Sequence, residues 1–214
     1  MLDAAEVRVL GALIEKEITT PEYYPLTLNA LINACNQKTS REPVVQYDEE
    51  TVSAALDQLR HKRLAGTITG AAIRVPKHRQ RLTEQLNLGR RELALLCVLM
   101  LRGPQTAGEL RGRSAALHAF SDIEEVDSCL QHMSEQQPPM VAVLPRQPGS
   151  REHRYIHLLS GEPPVEAQTA DCAAMPPARS REDRLAALEA EVSSLRAEIE
   201  EIKRAFEQFR QQFE

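Results

Sequence analysis

One pattern of apolar residues occurs twice in the first 160 residues, and it constrains the fold more than any other feature of the chain. Each copy has three apolar residues, spaced four and then three positions apart. This spacing places all three on one helix face. The two sets, 74 positions apart, are Val52, Leu56, Leu59 and Val126, Leu130, Met133. Because similar elements surround both sets, we interpret this part of the chain as an internal duplication.

The elements around the first set begin with a helix whose start is marked by Asp3 and Glu6, the spacing of a capping box. Two short alternating segments around Gly70 predict a β-hairpin. In order, we predict helices over about residues 4–17 and 26–36, a third helix after Asp48, and strands over residues 64–69 and 72–75.

The second set lies in the same order of elements. The capping patterns that start at Thr106 and at Ser121 open its second and third helices, a helix over residues 92–101 precedes them, and strands over residues 140–144 and 154–159 follow. Three helices followed by a hairpin are the winged-helix order. We therefore predict a mainly α-helical protein with small β-hairpins, built from two tandem winged-helix domains at residues 1–85 and 86–160.

The composition changes after residue 160. Four prolines and few large apolar residues predict a disordered, Pro/Ala-rich linker over residues 161–181. Residues 182–214 then carry apolar side chains alternately three and four positions apart, which predicts a coiled-coil helix and self-association. This seam consists of Leu185, Leu188, Val192, Leu195, Ile199, Ile202, Phe206, Phe209 and Phe213.

Charges beside this seam favour a parallel coil. In a parallel dimer the facing pairs Arg184/Glu189, Glu191/Arg196 and Glu198/Lys203 are all of opposite sign. The seam contains no polar residue that would fix the number of strands, so this number stays open. A single amphipathic helix packed back on the body is the alternative interpretation.

Composition excludes several classes of protein. Hydrophobic residues make up 42% of the chain and charged residues 27%, as in ordinary globular proteins. The longest uncharged apolar run, residues 93–101, is about half of a membrane span. Because the N-terminus lacks the features of a signal peptide, we expect a cytoplasmic protein without a membrane partner. None of the four cysteines forms a Cys-x-x-Cys pair, so we expect buried thiols rather than disulfides or zinc ligands.

The sequence lacks the motifs of common catalytic and cofactor sites. Neither Gly-x-x-x-x-Gly-Lys-[Ser/Thr] nor Gly-x-Gly-x-x-Gly occurs. His153 and His157 fall on one face of a strand, but no cysteine or carboxylate at ligand spacing accompanies them. Cys35 would be reactive if Lys38 lowered its pKa, although a buried position in the second helix is the interpretation we favour. We therefore expect no metal, no cofactor and no enzymatic activity; a site assembled from residues distant in sequence is the enzymatic alternative.

Seven phrases of the sequence, taken in order, match one known family. They are residues 12–17 (ALIEKE), 19–29 (TTPEYYPLTLN), 34–38 (ACNQK), 41–44 (REPV), 101–106 (LRGPQT), 108–111 (GELR) and 148–158 (PGSREHRYIHL). Together they resemble the bacterial YceH family over residues 1–160, which implies two tandem winged-helix domains and brings no catalytic residues. Ala107 stands where the family usually has proline, and the predicted coil after residue 180 lies outside the region of resemblance.

Double-stranded DNA is the partner that winged helices most often bind, usually with the start of the third helix at the base edges. Both third helices begin instead with acidic segments, residues 48–50 and 122–127, which would repel phosphates. Basic residues lie on the hairpins and loops, so we predict DNA binding there, in a regulatory or chromosome-associated role. The predicted contacts are Lys38, Arg41, Arg74, Lys77, Arg79, Arg81, Arg111, Arg113, Arg146, Arg151 and Arg154. Protection of hairpin edges from strand pairing is the other interpretation of these residues.

A protein-interaction scaffold is the alternative function. Residues 1–160 hold 19 basic and 19 acidic residues. A neutral body with acidic helix starts suits a polypeptide partner better than a polyanion. In either function the coil would hold two bodies together, so that individually weak contacts add up.

Overall fold

The computed structural model describes residues 1–70, 73–146 and 152–162. The predicted coiled coil lies outside these residues, and so does the predicted linker apart from Gly161 and Glu162. The described part of the chain is mainly helical, with seven α-helices, one short 3-10 helix and six strands. None of its helices combines the length and the apolar composition that a membrane span requires.

Both halves of the described chain contain the same order of elements. In the N-terminal half, residues 1–86, these are α1 (Ala4–Thr19), the 3-10 helix (Pro21–Tyr23), β1 (Leu26–Thr27), α2 (Leu28–Cys35), α3 (Glu49–His61), β2 (Ala65–Gly70), β3 (Ile73–Gln80) and α4 (Leu82–Leu86). In the C-terminal half, residues 90–162, they are α5 (Arg90–Arg102), β4 (Gln105–Thr106), α6 (Ala107–Arg113), α7 (Ile123–Glu135), β5 (Val141–Leu144) and β6 (Arg154–His157). The repeated order of helix, short strand, two helices and two strands is compatible with the winged-helix prediction.

Side-chain caps fix the starts of α1 and α6. The carboxylate of Asp3 accepts a hydrogen bond from the Glu6 backbone N–H at 2.8 Å, and the Glu6 carboxylate accepts one from the Asp3 N–H at 2.7 Å. Thr106 and Glu109 make the corresponding reciprocal bonds at 3.2 and 3.0 Å. Both predicted capping boxes are therefore confirmed, and each satisfies backbone donors that a helix leaves unpaired.

The start of α7 differs from the prediction by one residue. The capping side chain is that of Asp122, which accepts from the Glu125 N–H at 2.8 Å. Ser121 instead donates both its N–H and its hydroxyl to the Glu125 carboxylate, each at 2.9 Å. The prediction that Ser121 caps this helix is therefore wrong, because the neighbouring aspartate takes the capping position.

Each half contains a three-stranded antiparallel sheet with its last strand in the middle, in the orders β1-β3-β2 and β4-β6-β5. Leu26 lies opposite His78 in the first sheet, and Gln105 lies opposite Tyr155 in the second. The outer strands β1 and β4 were not predicted, because two residues are too few to show an alternating pattern. As a consequence, α2 begins at Leu28 and not at residue 26.

Strand β3 extends well past the predicted end of the hairpin. Ile68 pairs with Lys77 and Gly70 pairs with Ile73, so the register shifts between these two pairs. Pro76 lies in the irregular stretch of β3. A residue without an N–H is tolerated there because no regular ladder hydrogen bond is required of it.

The core confirms the two apolar faces from which the duplication was inferred. Val52, Leu56, Leu59, Val126, Leu130 and Met133 are all buried. The two halves form one compact unit in which α1 packs on α5. Gly11 allows the close approach of these helices, since an ideal Cβ at this position would lie 2.9 Å from Leu101 Cδ2. The Cys97 thiol donates to the Gly11 carbonyl oxygen at 3.5 Å.

Candidate interaction surface

An open groove of about 750 Å³ lies between α2, α3 and the β2–β3 hairpin. Its apolar lining consists of Leu28, Ile32, Leu56, Val75 and Pro76. Its polar and charged lining consists of Thr27, Asn29, Glu49, Ser53, Asp57, Arg60, Thr67 and His78. In winged-helix domains the third helix usually contacts the partner. The third helix of the N-terminal half, α3, lines one side of this groove.

Helical periodicity explains which side chains of α3 reach the groove. Glu49, Ser53, Asp57 and Arg60 follow one another at spacings of four, four and three residues, so they form one stripe along the helix. Leu56 lies beside this stripe and is buried, where it forms part of the groove floor. The stripe therefore makes a polar edge along an apolar floor.

The apolar residues of α2 and the hairpin are only partly covered by the protein. Helical spacing predicts that Leu28, Leu31 and Ile32 share the inward face of α2, but only Leu31 is buried. Leu28 and Ile32 are half-buried and line the groove. Val75 is 53% exposed on the opposite wall. The groove thus leaves apolar surface accessible to a partner.

One end of the groove carries uncompensated negative charge. Glu49 lies at the start of α3 and makes no ion pair with any residue that the structure describes. Its neighbours Asp48 and Glu50 are also exposed. Toward the other end, Asp57 pairs with Arg60 at 2.9 Å. The acidic character is therefore concentrated where α3 begins.

His78 lies on the hairpin wall of the groove. Its Nδ1 atom is 3.2 Å from the Thr67 hydroxyl. Burial lowers the pKa of His78 below its ordinary value, and the nearby charge of Arg60 lowers it further, although Asp57 opposes this. The imidazole is consequently neutral at physiological pH and adds no positive charge to the groove.

The structure places two of the predicted DNA contacts, Arg79 and Arg81, on a shared carboxylate. Arg79 is 3.1 Å and Arg81 2.9 Å from the two oxygens of Glu84. Both side chains pass over Gly66, where an ideal Cβ would lie 3.3 Å from Arg81 Cδ. Arg79 also lines a separate depression with Glu17. These arginines are therefore partly neutralised and do not line the groove.

Arg41 is wrongly predicted as a nucleic-acid contact. It is buried, with its guanidinium 2.6 and 2.9 Å from the Glu15 carboxylate oxygens. The same group donates to the Ala34 carbonyl oxygen at 2.9 Å. Its donors are satisfied within the protein, so the side chain cannot reach a phosphate.

The basic residues of the C-terminal half are mostly engaged with neighbouring groups. Arg113 forms an ion pair with Glu109 at 3.3 Å. Arg111 donates to the Ser121 carbonyl oxygen at 2.7 Å, and Arg146 donates to His153 Nε2 at 2.9 Å. Arg151 lies outside the described residues. Four predicted contacts have side chains that make no ion pair or hydrogen bond with described residues: Lys38, Arg74, Lys77 and Arg154.

No metal or thiol site emerges in the described residues. They contain no group of three or more His, Cys, Asp or Glu side chains that could hold a metal ion. Cys35, Cys97 and Cys129 are buried free thiols, as predicted. Burial raises the pKa of Cys35 to about 12 despite the nearby charges of Arg41 and Arg8, so its thiol is not activated. Cys172 lies outside the described residues.

Comparison with known proteins places the chain in a family. The model of a family described as "Protein of unknown function, DUF480" matches residues 2–150. The chain belongs to this family. The family resemblance found in the sequence is thereby confirmed. Neither the DUF480 description nor the names of the relatives given below state an activity.

Relatives of this DUF480 protein occur in several bacteria. A UPF0502 protein of Solibacter usitatus is 58% identical over 192 residues, which cover 90% of this chain and 91% of the relative. A UPF0502 protein of Chromobacterium violaceum is 51% identical over 193 residues, covering 90% of this chain and 86% of the relative. A match of this extent reaches beyond residue 180, so the similarity continues into the segment that we expected to lie outside it.

Proposed function

We propose that this DUF480 protein is a non-enzymatic protein-interaction adaptor, built from two tandem winged-helix domains and self-associating through its C-terminal coil. The repeated element order supports the two domains. The heptad seam of residues 185–213 supports the coil. An adaptor of this kind presents two bodies on one particle, which strengthens weak binding through effective concentration.

The observation that carries this proposal is the character of the surface along α3. Its groove has an apolar lining in which Leu28, Ile32 and Val75 are accessible, and its edge is acidic at Glu49. Accessible apolar surface beside a few polar groups is typical of polypeptide-binding sites. A duplex would bring phosphates toward the carboxylates at the start of the helix, which raises the energy of the complex.

The surroundings of three predicted DNA contacts also favour a polypeptide partner over DNA. Arg41 is buried, while Arg79 and Arg81 share Glu84. Binding of a phosphate by either exposed arginine would compete with a carboxylate that is already in place. Electrostatic affinity for DNA is reduced accordingly, since it depends on the number of phosphates that are neutralised.

DNA binding through the first hairpin is the second candidate function. Arg74 is exposed and Lys77 half-buried on β3, and neither makes an ion pair with a described residue. Positive side chains on a hairpin can contact the backbone or the minor groove of a duplex without sequence reading by α3. This mode would use the hairpin alone and would leave the apolar groove unexplained.

Co-purification from nuclease-treated cells tests the proposal with matched variants of the full chain. Ser53→Trp fills the groove, whereas Gln58→Trp adds the same side chain at an exposed position of α3 outside the groove. The proposal expects a partner protein that co-purifies in fixed ratio with the wild type and with Gln58→Trp but is lost with Ser53→Trp. Retention of every partner by Ser53→Trp, or recovery of nucleic acid alone before nuclease treatment, would overturn it.

A further inference from the structure

We infer that the groove along α3 binds an amphipathic helix of the partner, with a basic residue at the end of that helix that lies near Glu49. This inference rests on the proposed function and specifies the partner by its chemistry. The groove dimensions, the lack of backbone partners on its floor, and its charge distribution each support one part of it.

The length of the groove matches a short helix. Glu49 and Arg60 mark its two ends along α3, eleven residues apart. At about 1.5 Å per residue this separation is roughly 16 Å, which equals three turns of a second helix lying alongside. A volume of about 750 Å³ is sufficient for several apolar side chains of such a helix.

The floor of the groove favours a helix over an extended peptide. It is formed by the side chains of Leu28, Ile32 and Leu56, which offer neither hydrogen-bond donors nor acceptors. An extended segment would bury backbone N–H and C=O groups against them without hydrogen-bond partners, which weakens binding. A helix satisfies these groups internally and presents apolar side chains at i, i+3, i+4 and i+7.

The charges of the groove determine which end of the occupant is basic. Glu49 has no ion pair among the described residues, and the exposed Asp48 and Glu50 add to its potential. Asp57 is compensated by Arg60. A lysine or arginine beside Glu49 therefore gains an attraction that nothing in the described part of the protein already satisfies. A nucleic acid in the same position would meet repulsion.

Designed peptides with the purified full-length protein test this inference directly. The first probe is a 16-residue amphipathic helix with a leucine stripe and lysines near one end. The second replaces these lysines with glutamates, and the third keeps the lysines but scrambles the leucine stripe. Fluorescence anisotropy at about 150 mM salt limits non-specific attraction to the acidic chain.

Charge reversal in the protein shows where the peptides bind. Glu49→Lys should weaken the lysine peptide about fivefold and strengthen the glutamate peptide, since one exposed ion pair is worth about 1 kcal/mol. Glu22→Lys makes the same charge change at an exposed position that does not line the groove and should leave both affinities unaltered. The scrambled peptide should bind neither protein.

Removal of apolar contact tests the apolar lining of the groove without changing its charge. Val75→Asn should weaken the lysine peptide about tenfold, because Val75 lies on the groove wall. Val143→Asn is its control, since Val143 is 50% and Val75 53% exposed on hairpins of the two halves. Both variants should keep the wild-type circular dichroism spectrum and melting temperature.

Two sets of outcomes separate this inference from the proposed function. Absence of binding by the lysine peptide, or a charge preference that Glu49→Lys does not change, overturns the inference. If Ser53→Trp nevertheless loses a partner that Gln58→Trp retains, the adaptor function stands and only the chemistry of its partner is wrong. If no partner depends on Ser53, the adaptor function fails and the inference fails with it.

Discussion

Arg41 and Glu15, 26 positions apart in the sequence, form a bidentate ion pair. The guanidinium nitrogens of Arg41 lie 2.6 and 2.9 Å from the two carboxylate oxygens of Glu15. Burial alone would raise the pKa of Glu15, but the hydrogen bonds and the charge of Arg41 hold it below its ordinary value. The pair attaches the segment between α2 and α3 to α1. It therefore helps to fix the position of α3 and, with it, one wall of the groove.

Loss of this pair should destabilise the protein strongly. Arg41→Ala leaves the Glu15 carboxylate without its buried partner, which costs about 3–5 kcal/mol. Urea unfolding followed by circular dichroism measures the loss. Arg60→Ala, which breaks the exposed pair with Asp57, should cost at most about 1 kcal/mol. Equal effects of the two substitutions would contradict a structural role for Arg41.

His157 should make the protein sensitive to mild acid. Burial lowers its pKa from 6.5 to about 4, and its Nδ1 atom has no hydrogen-bond partner. Below pH 6.5 the unfolded chain therefore binds a proton that the folded protein does not, and stability falls as the pH decreases toward about 4. The full effect is on the order of 3 kcal/mol.

The acid sensitivity can be assigned with two substitutions. His157→Leu should flatten the dependence of the free energy of unfolding on pH between 6.5 and 4.5, whereas His61→Leu, at an exposed position, should not. His78 adds a contribution of the same sign because burial lowers its pKa, so a smaller slope remains. Glu15 contributes only below its ordinary pKa of 4.5. An unchanged slope in His157→Leu would refute this assignment.

The close approach of α1 and α5 predicts that Gly11 cannot be enlarged without cost. In Gly11→Ala the new Cβ would lie 2.9 and 3.0 Å from Leu101 side-chain atoms, and separation of the helices should cost about 1–3 kcal/mol. Gly112→Ala on α6 meets nothing within 4 Å and should be neutral or slightly stabilising. Thermal unfolding compares them; similar melting temperatures would show that the helices are not tightly packed at Gly11.

Removal of the ion pairs that Glu84 makes with Arg79 and Arg81 tests DNA binding through the first hairpin. Glu84→Gln removes the carboxylate that Arg79 and Arg81 share, so affinity for long duplex DNA at about 50 mM salt should rise, with a steeper dependence on salt. Glu22→Gln is the control of equal charge. If the wild type already retards DNA strongly and Glu84→Gln changes nothing, the carboxylate does not restrain these arginines.

Local signals in the sequence predicted much of the fold. The capping box of Asp3 and the buried faces of α3 and α7 depend on residues three and four apart, so their pattern is visible along the chain. Strands β1 and β4 were missed because their pairing with β3 and β6 is non-local. The length of β3 was missed because Pro76 usually ends a strand, whereas here it lies where the register shifts.

The candidate site could be predicted only in part, because most of it depends on contacts between residues distant in the sequence. The acidic start of α3 at Glu49 is evident in the sequence. The burial of Arg41 depends on Glu15, and the engagement of Arg79 depends on how β3 and α4 are placed. The groove itself is lined by side chains of α2, α3 and the hairpin. The periodicity of each element predicts which apolar residues face inward, but it does not show which of them stay accessible to a partner.

Photo-crosslinking from inside the groove shows directly whether the surface along α3 binds polypeptide. A photoreactive residue is placed in the full-length protein at Ser53, or at Gln58 as the control on the same helix, and the adducts are separated after nuclease or protease digestion. We predict discrete, nuclease-resistant protein adducts from position 53 and none from position 58. Nuclease-sensitive adducts from position 53, or equal labelling from both positions, would contradict it.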